Sequence, residues 1–167
     1  MAITTFYVGQ PITADLLTNA YPKGEIYRTY RSTDGGPTSG TTELALLRLS
    51  NMEFVDGRAY RIEASELRSD QSVAGDHFKW QLRYSTSGDA TTSSAVLIRS
   101  EATADTDSIP PLIGYIRPTA DGTYSVLVSI VRTSGSGTTT TKADDENDLS
   151  IVVYDEGFSV ADTGTVM

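Results

Sequence analysis

The sequence predicts an all-β protein: an antiparallel β-sandwich of jelly-roll kind with about eight strands, preceded by a short N-terminal arm and helix. Three observations predict it. First, two runs near the middle of the chain alternate. Tyr60, Ile62 and Ala64 share one phase against Arg61, Glu63 and Ser65, and Phe78, Trp80, Leu82 and Tyr84 share one against His77, Lys79, Gln81, Arg83 and Ser85. Successive side chains of a strand point to opposite faces, so each run is a strand with one buried face. Second, similar runs recur along the chain at roughly the 8–12-residue spacing of sandwiches and barrels. Third, no long helical period follows Pro22 and no strand–helix–strand spacing occurs, which argues against a parallel sheet.

The N-terminal residues 2–8 are mixed and extended in character, and Gly9-Gln10-Pro11 breaks them. Residues 12–20 read as a brief helix: Thr13 is placed to cap it, and Ile12, Leu16 and Ala20 fall on one face. Tyr21-Pro22-Lys23-Gly24 ends it. Strands are then expected at 25–31, 43–49, 58–68, 77–85, 95–100, 109–118, 123–132 and 149–154. In 43–49 the leucines change phase, from Leu44 and Leu46 to Leu47 and Leu49, which fits a bulge or a strand buried on both faces. Prolines bracket 109–118, which suits an edge strand. Ala120-Asp121-Gly122 is a hairpin signal, and the Ser/Gly/Thr/Pro-rich stretches 32–42 and 133–141 are loops. The expected division is an arm at 1–24, a sandwich at 25–160 and a tail at 161–167.

Composition excludes several functions. The chain has 167 residues and no cysteine, which rules out disulfides, thiol nucleophiles and thiolate metal sites. Its formal net charge of −9 repels nucleic-acid phosphates, and no basic patch stands out. The start carries neither a basic region followed by an apolar core nor a transmembrane run, so no membrane partner and no signal-directed export are expected.

Catalytic patterns are weak. His77 is the one histidine; it lies in the polar phase at a strand start, and the adjacent Asp76 points to the opposite face. A surface histidine is the simpler reading. The acidic run 144–148, with Asp105 and Asp107, has the ligand type for Ca²⁺ but not a calcium-loop spacing, so a solvated loop is the simpler reading. Trp80 shares its phase with Phe78, Leu82 and Tyr84 and belongs to the core, whereas Tyr27 and Tyr115 are freer to form a contact surface. No acidic pair is singled out for glycoside hydrolysis, and no phosphate-cradling loop is present. No enzyme activity, catalytic residue, cofactor or metal is expected.

Three stretches resemble a known group. Residues 9–18, Gly-Gln-Pro-Ile-Thr-Ala-Asp-Leu-Leu-Thr, resemble a short lead found at module starts in phage tail proteins, with Thr18 standing where that lead has Asn. Residues 58–64, Arg-Ala-Tyr-Arg-Ile-Glu-Ala, then 72–76, Ser-Val-Ala-Gly-Asp, then 82–88, Leu-Arg-Tyr-Ser-Thr-Ser-Gly, are similar to a run in small β-sandwich modules from virion proteins of tailed phages that infect actinobacteria. The resemblance covers residues 9–135 and lies in turns and strand edges. It implies a non-enzymatic virion structural protein, a minor tail, fibre or capsid decoration protein that assembles as a trimer and contacts capsid or tail proteins. The arm side chains Phe6, Tyr7, Ile12, Leu16 and Leu17 are the expected assembly contacts, because so short a segment cannot bury them alone. The alternative reading is a carbohydrate-binding module with a host glycan as its ligand.

Overall fold

The computed structural model describes residues 21–38, 41–103, 108–143 and 148–158. The expected helix at 12–20, the five arm side chains, Asp105, Asp107, most of the acidic run and the tail lie outside them. Among the described residues there are twelve strands: β1 (Gly24–Arg31), β2 (Gly35–Thr38), β3 (Leu44–Phe54), β4 (Arg58–Ser65), β5 (Leu67–Gln71), β6 (His77–Ser85), β7 (Ala95–Thr103), β8 (Ser108–Ile109), β9 (Leu112–Ile116), β10 (Gly122–Ser134), β11 (Thr139–Lys142) and β12 (Leu149–Phe158). They form three antiparallel sheets of four, in the orders β1-β12-β4-β9, β3-β10-β6-β7 and β2-β11-β5-β8.

One rule generates all three sheets. The chain from β1 to β6 runs antiparallel to the chain from β7 to β12, as a single long ribbon. Along it β1 pairs with β12, β2 with β11, β3 with β10, β4 with β9, β5 with β8 and β6 with β7. The ribbon is then rolled, so that β12 also pairs with β4, β11 with β5 and β10 with β6. The short strands β2, β5, β8 and β11 each interrupt a passage between the two larger sheets, so the third sheet is built from four connections.

The alternation read from the sequence packs the space between the larger sheets. Tyr60, Ile62 and Ala64 of β4 and Leu149, Ile151 and Val153 of β12 join Phe78, Trp80 and Leu82 of β6 and Val126, Val128 and Ile130 of β10 in one apolar core. Phe54 stacks on Tyr60 with ring centroids 3.9 Å apart and on Tyr124 at 4.9 Å. Burial raises the Tyr60 phenol above its ordinary pKa, against a hydrogen bond that its oxygen accepts from the Val55 N–H.

The expectations are met unevenly. The all-β antiparallel architecture is present, but among the described residues the strands number twelve rather than about eight: β2 and β11 arise in 32–42 and 133–141, where loops were expected, and a two-residue strand, β8, precedes β9. The expected single strand 58–68 is two: Glu66 has φ 55°, a left-handed conformation that breaks the strand between β4 and β5. The turn at 120–122 is not a hairpin, because β9 and β10 belong to different sheets. It is held instead by the Asp121 carboxylate, which accepts the Asp56 N–H at 2.8 Å. The leucine phase change is a bulge: Val128 faces Leu47 while the next residue, Ser129, faces Ala45, leaving Leu46 as the extra residue. Arg31 donates to the Leu46 carbonyl at 3.1 Å. Segment 109–118 does supply an edge strand, β9.

Two glycines are required by close approach. A Cβ on Gly114 would lie 2.5 Å from Leu97 Cδ2, so its absence lets β7 close against β9. At Gly135 (φ +91°) a Cβ would lie 1.7 Å from Asp76 Oδ1. The buried Asp76 carboxylate accepts the N–H groups of Ser136 and Gly137 at 3.2 and 2.5 Å, which fixes the turn leading into β11. Gly135→Ala is therefore expected to cost at least about 1–3 kcal/mol, the range for a strained backbone position. A denaturation midpoint equal to the parent's would contradict this.

Candidate interaction surface

The two broad outer faces of the sandwich differ. On the β3-β10-β6-β7 sheet, the tip of the ribbon (86–94) folds back over the middle strands. Arg48 donates to the Ala90 carbonyl at 2.9 Å and pairs with Asp89 at 3.2 Å, and the Ser125 hydroxyl donates to the Gly88 carbonyl at 2.8 Å. Arg83 grips both oxygens of Glu43 at 2.6 Å, and the Ser129 hydroxyl also donates to Glu43. Beneath this cover the outward-facing Ser125, Leu127 and Ser129 are buried.

Glu43 carries a pH prediction. Burial pushes its carboxyl up, but the hydrogen bonds from Arg83 and Ser129 outweigh that and hold it below its ordinary value. A carboxyl depressed on folding contributes stability above its unfolded pKa, about 4.3, and loses that contribution as pH falls through the folded value. Urea midpoints measured from about pH 6 down to pH 3 should therefore fall more steeply for the parent than for Glu43→Gln. Parallel profiles would refute the assignment.

The outer face of the β1-β12-β4-β9 sheet is not covered in this way. Its outward positions follow from the register. Arg28, Val152, Glu63 and Ile113 form one row across the four strands, and Tyr154, Arg61 and Tyr115 line up on the next. The centre is self-paired, with Val152 buried and Arg61, Glu63 and Tyr154 half-buried around it. Arg61 bonds Glu63 at 2.6 Å and Glu156 at 2.8 Å, and its guanidinium lies 4.0 Å from the Tyr154 ring centroid. The hydrogen bond that Arg61 donates to Glu156 holds the Arg61 pKa above its ordinary value. At the β1 margin Arg28 pairs with Glu25 at 2.7 Å. The rims carry exposed apolar groups: Tyr30 on β1 is 63% exposed, and Ile113 and Tyr115 on β9 are 39% and 51% exposed.

At one end of this sheet lies a buried ion pair. Arg58 and Asp155, each 2% exposed, approach to 2.7 Å. Asp155 also accepts the Gly157 N–H at 2.9 Å, and the Arg58 guanidinium lies 5.3 Å from the Phe158 ring. Arg58 further donates to the Tyr21 carbonyl at 2.9 Å, and the Lys23 N–H donates to the Asp155 carbonyl at 3.1 Å. The pair thus fixes both ends of the described chain at one point.

Of the candidates read from the sequence, Trp80 is in the core and His77 is on the surface. Tyr115 is exposed as expected, whereas Tyr27 is half-buried against the core and its hydroxyl accepts the Glu53 N–H at 3.0 Å. Tyr30, Ile113 and the Arg58–Asp155 pair were not singled out. The signal for the pair was present: counting back by two from Tyr60 reaches Arg58, and counting on by two from Val153 reaches Asp155, so both continue a core phase. Among the described residues, no group of three His, Asp or Glu is placed to hold a metal ion, and no helix is long and apolar enough to cross a membrane.

No family model and no curated protein matches the chain. Among solved structures, it is similar to the infectious bursal disease virus VP2 subviral particle, with a TM-score of 0.40 and 13% identity over 80% of this chain. It is also similar to the structure of infectious bursal disease virus Gx strain, with a TM-score of 0.34 and 14% identity over 85% of this chain. The chain spans 37% and 36% of those two chains, little more than a third of each.

Proposed function

We propose that this protein is a non-enzymatic structural component of a phage particle, a self-assembling jelly-roll module of the capsid surface or the tail, with a trimer as its working form. The rolled antiparallel ribbon carries the reading. It is the winding of a double-sheet jelly roll, an architecture that serves viral capsids and lectins. A fold alone does not name a function. The resemblance of residues 58–64, 72–76 and 82–88 to phage virion modules favours the particle, and these stretches lie on strands and turns.

The test is direct. Sedimentation of the purified chain is expected to give an oligomer, and antibody raised against it is expected to decorate phage particles at symmetry-related positions. A monomer at all concentrations together with unlabelled particles would refute the proposal.

One observation favours a second reading, a carbohydrate-binding module: exposed tyrosines on a single sheet face. Tyr30 and Tyr115, however, sit on opposite edge strands, three strand spacings or roughly 14 Å apart across the sheet, and are further offset along it, Tyr30 level with Ser150 and Tyr115 with Tyr154. They offer two separate ring platforms rather than a row. Glycan-array binding lost in Tyr115→Ala would favour this reading over assembly.

A further inference from the structure

We propose that the outer face of the β1-β12-β4-β9 sheet seats the N-terminal segment, residues 1–20, of a second copy of this chain. The inference rests on the reading of the chain as a self-assembling protein and names the surface and segment that assembly would use.

Four observations converge on it. The middle of the opposite broad face is covered by the chain's own ribbon tip, with Val96 exposed at its margin, whereas this one presents Tyr30, Ile113 and Tyr115 to solvent. The charges of this face are paired, Arg28 with Glu25 and Arg61 with both Glu63 and Glu156, so two cations meet three carboxylates and one negative charge is left over. In a chain of net charge −9, two copies repel, and a face whose charges are nearly balanced is where a second copy approaches at low cost. Residues 1–20 are also close to neutral, because they contain no Lys or Arg and Asp15 is their one acidic side chain. Their apolar groups, Phe6, Tyr7, Ile12, Leu16 and Leu17 among them, need a surface that so short a segment cannot make for itself.

Placement and length bring this segment within reach of the face. Arg58 holds the Tyr21 carbonyl and Asp155 the Lys23 N–H, so residues 1–20 join the sandwich at the start of β1, an edge of this same sheet. Twenty residues reach at most about 70 Å when extended, well beyond a sheet roughly 14 Å wide. The tyrosines and Ile113 are exposed on the chain taken by itself, and a segment reaching across from a second copy would cover them.

The experiment uses the full chain. A photoreactive benzoylphenylalanine replaces Tyr115, and this protein is mixed with isotopically labelled parent, irradiated, digested and read by mass spectrometry. Crosslinks from position 115 to peptides within residues 1–20 of the other isotope are expected. In parallel, Ile113→Asp combined with Tyr115→Arg should weaken self-association by about tenfold or more, a loss of about 1.4 kcal/mol or more, with an unchanged melting temperature at concentrations low enough for both proteins to be dissociated. Crosslinks within one chain, or to strand residues of the second copy, would overturn the docking assignment while leaving self-assembly standing. A full chain that sediments as a monomer would overturn both.

Discussion

Trp80→Ala is expected to lower folding stability by about 3–5 kcal/mol, the range for truncating a fully buried large aromatic. Trp80 is the largest fully buried side chain, and it faces Ile130 on one neighbouring strand and Ser100 on the other. Both of its flanking strands are locked in a sheet, so the surrounding backbone has little freedom to collapse into the space left behind. Urea unfolding followed by far-ultraviolet circular dichroism is the suitable measurement, since the variant removes the protein's one tryptophan. A loss below about 1 kcal/mol would mean that the core repacks around the deletion, against the cavity argument.

Asp155→Asn is expected to be comparably damaging, at about 3–5 kcal/mol, because it leaves the buried Arg58 guanidinium without its counter-charge. Bringing a charge out of water is costly whether or not a partner waits for it, so single removal is worse than joint removal. Arg58→Met combined with Asp155→Leu should therefore be markedly more stable than Asp155→Asn alone, although the Tyr21 carbonyl and Gly157 N–H lose their side-chain partners. If the double variant is instead the less stable, the pair's contribution lies in anchoring the chain ends and not in charge balance.

Much of the sandwich was legible because burial imposes a period of two. The boundaries of β6 were read to the residue, and the leucine phase change in β3 announced its bulge. What escaped is what does not leave a period. β2, β8 and β11 have four, two and four residues, rich in Gly, Thr and Ser, so even the alternating burial of β11 leaves no alternation of apolar and polar residue types. Glu66 breaks the strand with a left-handed backbone that its residue type does not advertise. Ala120-Asp121-Gly122 specified a reversal, but turn chemistry is local and does not say in which sheet the next strand will lie. The surface was half-legible: Tyr115 could be nominated from its edge segment, whereas its neighbours across the face depend on pairings between residues far apart in sequence. Arg61 and Glu156, for example, are 95 positions apart.

The rolled ribbon also dictates an order of events at the ribosome. The strand pair with the shortest connection, β6 with β7, can close as soon as it is synthesised, while Gly24 must wait for Asp155. β12 is the last described strand to be made, yet it sits inside its sheet between β1 and β4. Until it emerges, both of those strands present unpaired edges, the condition under which nascent β proteins cross-pair and aggregate. Such long-range closure places this chain among slow folders, in the millisecond-to-second range, roughly, that non-local β topologies occupy. An almost complete ribbon therefore stays open until β12 arrives.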